Sequence, residues 1–246
     1  MRRLYTGILL ILSMQICAQD FRAKIYDAYL DGRMDLWKAT MDQMERQAVE
    51  NDDPVLLYEL TEVQYGYIGY CLSMKQKKEA ERVLEKAEKQ VELLLDTEVN
   101  QARLYSLMGA FYGYRVSLQP IKAPYFGKKS EEANQMALKL GPREPQAWLE
   151  RGNIAFYKPA IFGGSKDEAV PYYEKAVELF EAGPPQRTSQ SWVYLMCLAG
   201  LGIAYEETGH MEKAGEVYRK LLGKEPAFKW VRDELYPEYL QKHSRQ

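Results

Sequence analysis

Histidine is almost missing from this chain of 246 residues. The two present, His210 and His243, have no cysteine, aspartate or glutamate at a metal-ligand spacing. Cysteine is scarce as well, with Cys17, Cys71 and Cys197. No Walker-type phosphate loop and no nucleophile-elbow sequence occurs. Gly163-Gly164-Ser165-Lys166 copies a fragment of a phosphate loop, but it lacks the full spacing and does not follow a strand. Carboxylate pairs such as Glu131-Glu132 and Glu206-Glu207 read as the solvated faces of helices. These absences leave no convergent set of groups for catalysis, imply no metal or cofactor, and point away from an enzyme. Neither sign of charge dominates: 33 Lys and Arg stand against 35 Asp and Glu, a formal net charge of -2. That balance argues against nucleic acid as a partner.

Long hydrophobic runs are also lacking beyond residue 18, so no stable transmembrane segment is expected. Residues 1–18 read as a secretory signal peptide. Arg2 and Arg3 supply the positive start, Ile8 to Leu12 the short apolar run, and Ile16-Cys17-Ala18 a box with a small residue at its end. Cleavage before Gln19 would remove both arginines and take the net charge to about -4. Lipid anchoring through Cys17 is the alternative; Met14-Gln15-Ile16 fits it less well, because small residues are wanted beside the lipidated cysteine. The expected location is therefore periplasmic or secreted. What the chain has in quantity is hydrophobic residues, 46% of the total, which suffices for one buried core over residues 19–246.

Apolar residues recur at helical spacing along that length. Trp37, Met41 and Met44 mark one helix, and Ala80, Leu84, Ala87 and Val91 another. Asp53-Pro54 is a helix start, with a capping aspartate and a proline in the first turn. About eleven helices in pairs follow from this punctuation. The fullest pattern lies between Leu198 and Pro226. Leu198, Leu201, Gly202 and Tyr205 share one face of a first helix, Gly209 makes a turn, Ala214, Tyr218 and Leu221 line a second helix, and Pro226 ends it.

These residues resemble the tetratricopeptide (TPR) repeat, W-x2-L-G-x2-Y, then A-x3-F, then P, over about 34 residues. Leu104, Met108, Gly109 and Tyr112 repeat the first half of the pattern, as do Trp148 and Gly152 ahead of Ala169, Tyr173 and Ala176. The resemblance covers most of residues 19–246 and implies an all-α fold: a TPR-like α-solenoid of about five helix pairs with a C-terminal capping helix around Trp230, Val231 and Leu235. Helix pairs of this kind bury their apolar faces only by stacking. The stacking would hold Cys71 and Cys197 several repeats apart, as two buried free thiols.

Two departures from the repeat stand out. Extra residues separate the helices of the third and fourth pairs, at 119–128 and 158–165. Both carry the same spacing, Phe126-Gly127 before Glu132-Ala133 and Phe162-Gly163 before Glu168-Ala169. The expectation is a shared loop in which the phenylalanine folds back as a plug and the glycine makes the turn. It conflicts with Pro142, which sets Ser130 rather than Ala133 at the start of the third pair's inner face.

The resemblance further implies that first helices line a concave groove. Its candidate binding residues are Arg103, Ser106 and Tyr114 in the third pair, Gln146, Asn153, Phe156 and Tyr157 in the fourth, and Glu206 in the fifth. The function expected is a non-enzymatic exported scaffold that binds a peptide or partner protein in the groove. The alternative is a periplasmic protein that binds and delivers a small solute for a transport system.

Overall fold

The computed structural model describes residues 21–243, so the signal-peptide reading of residues 1–18 lies outside the described part. Among the described residues, ten α-helices form five antiparallel pairs: α1 (residues 21–30) with α2 (Met34–Asn51), α3 (Pro54–Ser73) with α4 (Lys77–Leu94), α5 (Gln101–Leu118) with α6 (Ala123–Leu140), α7 (Pro145–Tyr157) with α8 (Lys166–Glu181), and α9 (Trp192–Glu207) with α10 (Met211–Lys224). A π-helical turn, Val231–Leu235, leads into α11 (Tyr236–His243). No strand occurs among the described residues. This is the all-α solenoid that the repeat pattern led us to expect.

Local chemistry sets the helix ends. Asp53 accepts from the amides of Val55 and Leu56, Asn100 from those of Ala102 and Arg103, and Ser191 from that of Tyr194. Three pairs turn through the same left-handed residue: Gly32 at φ 63°, Lys75 at φ 58° and Gly209 at φ 78°. In each, the following amide reaches back five residues to a carbonyl, as Gln76 does to Cys71 at 2.8 Å. Lysine holds this conformation against its own Cβ. Lys75→Gly is therefore expected to stabilise the protein by about 1 kcal/mol, seen as a higher urea midpoint with an unchanged slope.

Within each pair the helices close on a small residue. A Cβ added at Gly202 would lie 2.6 Å from the Tyr218 ring, and one at Gly152 would lie 2.7 Å from Tyr173. In the third pair Gly109 faces the Ser130 carbonyl and the Asn134 amide, and the Ser130 hydroxyl donates to the Gly109 carbonyl at 2.8 Å. Ser130, set by Pro142, is thus the register residue. Ala133, favoured by the Phe-Gly match, sits one residue before Asn134 and lines the same contact from the side.

The two extra segments take different forms. Residues 120–122 make a 3-10 turn, and α6 then starts at Ala123 with Pro124 in its first turn, where proline costs no hydrogen bond. Phe126 and Gly127 are therefore helical, and the Phe126 ring stacks on Tyr112 at 6.3 Å. Phe162 instead ends a 3-10 turn and is 58% exposed, with Gly163 left-handed at φ 84°. The plug-and-turn loop expected twice does not recur: Phe126 packs from within a helix, Phe162 does not pack inward, and only Gly163 makes the turn.

The solenoid curls far enough for its first and fifth pairs to meet. Trp37 of α2 packs edge-on against Trp192 of α9 at 5.0 Å, and Tyr29 of α1 meets both Trp192 and Phe228, the latter at 5.0 Å. Gly66 of α3 admits the two indoles, since a Cβ there would lie 2.8 Å from each. Polar links run beside this seam. The Tyr26 hydroxyl donates to Glu225 at 2.6 Å, Lys229 lies 3.7 Å from Asp31, and the Arg22 guanidinium donates to the carbonyls of Gln186, Ser189 and Gln190. At the far end α11 covers α10, with Tyr239 against Tyr218 at 5.7 Å, as a capping helix should. Pro237 does not end that helix. It falls in the first turn of α11, directly after the π-helical turn.

Candidate functional site

The inner wall of the curl is formed by α3, α5, α7 and α9, and its middle is filled. Tyr65 and Tyr114 stack at 5.7 Å, and the Tyr114 hydroxyl donates to the Tyr65 carbonyl at 3.2 Å. Beside them sits Glu150, 3% exposed. The Asn153 amide donates to one of its carboxylate oxygens at 3.0 Å, and the Tyr173 hydroxyl donates to Asn153 at 2.8 Å. The other buried oxygen, Oε1, has no hydrogen-bond partner. Burial pushes the Glu150 carboxyl up to about 7, against the opposing pull of the Asn153 amide and the nearby Tyr65 hydroxyl.

One end of the wall stays open. The N-terminal halves of α1, α3, α5, α7 and α9 surround a cavity of about 340 Å³. Phe21, Ile25, Val63 and Trp192 give it apolar walls, and Arg22, Glu59, Glu62, Arg103, Glu144 and Arg187 give it charge. The buried Glu144 carboxylate lies 3.1 Å from Arg103 and 4.0 Å from Arg187 and accepts from Asn100. Arg22 is turned onto backbone carbonyls. Glu62 accepts from the Tyr58 hydroxyl at 3.0 Å. Desolvation pushes both Glu59 and Glu62 upward, Glu59 to about 7 with Glu62 adding to it, while Arg103 and Arg22 pull Glu62 back only in part. Gln146 lines the same cavity, 3% exposed, with no partner for its amide nitrogen.

The groove residues singled out from the sequence divide among five places. Arg103 and Gln146 come together in the end cavity. Tyr114 and Asn153 lie in the filled middle around Glu150. Phe156 and Tyr157 meet edge-on at 4.9 Å toward the opposite end, where Tyr157 is 73% exposed and the Lys166 ammonium lies over the Phe156 ring. Glu206 is fixed between helices, accepting from the Tyr218 hydroxyl at 2.5 Å and from Lys242 at 3.0 Å. Ser106 is buried and returns its hydroxyl to the Ala102 carbonyl of its own helix. Sequence reading missed Arg22, Glu59, Glu62, Glu144 and Glu150. The signal that could have found two of them is a pair of carboxylates three apart within the apolar run of α3. Cys71 and Cys197 are both free and buried, and burial raises the pKa of each thiol. No cluster of three or more histidine, cysteine or acidic residues able to hold a metal occurs among the described residues, and no helix there is long and apolar enough to cross a membrane.

No curated protein matches the chain. Among solved structures it is similar to the HusA haemophore from Porphyromonas gingivalis, with a TM-score of 0.61 at 20% identity, over 78% of this chain and 94% of that one. It is also similar to a thermophilic TPR protein of Thermus thermophilus, with a TM-score of 0.60 at 19% identity, over 85% of this chain and 93% of that one. Both likenesses are of fold. The tetratricopeptide repeat pattern itself matches residues 160–182 and 197–227. The chain thus carries TPR repeats across α8 and its preceding turn and across the α9–α10 pair.

Proposed function

We propose that this chain is an exported, non-catalytic binding scaffold for a peptide or partner protein, and that it engages the partner at the open end of its inner wall. The observation that carries this reading is the end cavity, because the middle of the wall is occupied by the chain's own aromatic rings. Five helices, one from each of the five pairs, converge there, and they bring charged and amide groups that are incompletely used within the fold. A volume of about 340 Å³ accepts a side chain or the end of a peptide, not an extended segment. Export rests on Arg2, Arg3, the apolar run Ile8 to Leu12 and Ala18. Tyr114, Asn153, Phe156 and Tyr157 remain proposed as an extension of the partner surface toward the other end.

Gln186 lies exposed on the cavity rim. Gln186→Trp should fill the opening without touching the core. We expect the variant to melt like the parent and to lose at least about tenfold in affinity for a partner captured from envelope extract by the parent protein. Equal capture by both would remove the cavity from the account. The cavity's size favours the small-solute reading as the second one. Native mass spectrometry of the purified protein would then show a bound small molecule that Gln186→Trp displaces. The haemophore likeness, at 20% identity, adds only that this fold occurs in a protein of that title.

A further inference from the structure

The cavity's charges are unequally served. Glu144 has Arg103 within 3.1 Å and Arg187 at 4.0 Å, and Arg22 spends its donors on three carbonyls. Among the described residues, Glu59 and Glu62 have no ion-pair partner within 4 Å, although they lie three apart on one face of α3 and both line the cavity. Both carboxylates are partly buried, and Arg22 and Arg103 act on them only from beyond ion-pair distance, so each is left short of water and of a direct counter-charge. Independently, Gln146 offers an amide from the opposing α7 that is 3% exposed and unpartnered at nitrogen. Phe21, Ile25 and Trp192 add apolar wall to the same cavity. We propose that the end cavity receives an organic cation, an ammonium or guanidinium on a short alkyl stem, with the charge between Glu59 and Glu62, the stem along the apolar wall, and a neighbouring amide or carbonyl of the ligand paired with Gln146. The inference rests on the cavity being the binding site, as proposed above.

Lysine or arginine side chains of a partner and free alkylamines share this chemistry. Titration calorimetry on the chain from residue 19 onward separates them with four probes: Ac-Ala-Lys-Ala-NH2, Ac-Ala-Arg-Ala-NH2, n-butylammonium, and the neutral Ac-Ala-norleucine-Ala-NH2. The cationic probes are expected to bind at least about tenfold more tightly than the norleucine peptide, the usual worth of a charge-assisted contact. A preference for the peptides over butylammonium assigns the cation to a partner's side chain, and parity assigns it to a free amine. Binding should strengthen as pH rises from about 5.5 to about 8, because Glu59, pushed up to about 7, loses its proton over that range; Glu62, raised in the same direction, adds to the trend, with Arg22, Arg103, Arg187, Glu144, Asp53 and Tyr58 as the charged and titratable groups around the pair. The double variant Glu59→Gln, Glu62→Gln keeps shape and hydrogen bonding, and it should lose about tenfold in affinity for the cations while melting no lower than the parent. Equal binding of the norleucine peptide, no binding of any cation, or undiminished binding by the double variant would overturn the inference. Should the double variant fail to fold, the comparison of cationic with neutral probes on the parent chain still decides. If Gln186→Trp abolishes partner capture while every cation fails to bind, the cavity reading survives and the cation falls. If Gln186→Trp captures the partner normally, the cavity reading itself falls.

Discussion

Trp37→Ala is expected to cost about 3–5 kcal/mol of stability, the range for emptying a buried tryptophan site. Trp37 is 1% exposed and its indole nitrogen donates to the Val63 carbonyl at 3.2 Å. It joins three helices that are distant in sequence: α2, on which it sits, α3 at Gly66, and α9 at Trp192. In a solenoid that stayed open, the same residue would touch only the adjacent pair, and its loss would be felt locally. Here the cavity it leaves opens the seam between the first and fifth pairs. Urea unfolding followed by circular dichroism measures the loss. Hydrogen exchange should show faster exchange in α1, α2 and α9 together. A loss below about 1 kcal/mol, or exchange confined to α2, would mean that the seam contributes little.

The second large effect concerns Glu150 and depends on pH. Its ordinary value of 4.5 rises to about 7 in the fold, with burial as the main cause. The folded state therefore holds this proton more tightly than the unfolded state does. Stability from this group is highest below pH 4.5, falls as pH rises between 4.5 and about 7, and is level above that. The full difference is on the order of 3 kcal/mol at about 1.4 kcal/mol per unit. Glu150→Gln removes the charge and keeps an oxygen for Asn153. The variant should match the parent near pH 4.5 and exceed it by up to about 3 kcal/mol near pH 8. Glu59 and Glu62 tilt the parent's profile in the same direction, so the difference between variant and parent isolates Glu150. A constant gap across the range would show that the carboxyl titrates normally.

How much of this was legible in the sequence varies along the chain. Gly202 with Tyr218 and Gly152 with Tyr173 are close contacts that the repeat pattern names directly, and Gly109 named its partner helix once Pro142 fixed Ser130. The duplicated Phe-Gly spacing misled, because equal spacing says nothing about whether the first turn after it is helical. Pro124 lets α6 begin early, whereas Gly163 and Gly164 hold the other copy as a turn. The closure of the curl had a signal that was not used. In α9, Trp192 through Leu195 and Cys197 through Ala199 are all buried, so the first half of the helix is packed on nearly every side and only a stripe through Met196, Gly200, Ile203 and Glu207 stays partly uncovered. The cavity as a whole was not legible, although Arg103 and Gln146 of its wall were among the residues named. Arg22 meets Gln186 across 164 positions, and Glu59, Arg103 and Gln146 come from three separate helices. Such a meeting is set by the summed curvature of the stack, which no local pattern states.

The central claim is that the first pair returns to touch the end of the fifth. Spin labels at Asp31→Cys and Lys229→Cys, in a background with Cys71 and Cys197 replaced by alanine, measure it by pulsed electron resonance. Those two side chains lie 3.7 Å apart in the fold. The closed curl predicts one short, narrow distance, set mainly by the labels themselves. A long or broad distribution, spanning several helix diameters of about 10 Å each, would mean that the inner wall is open along its length and would contradict the account.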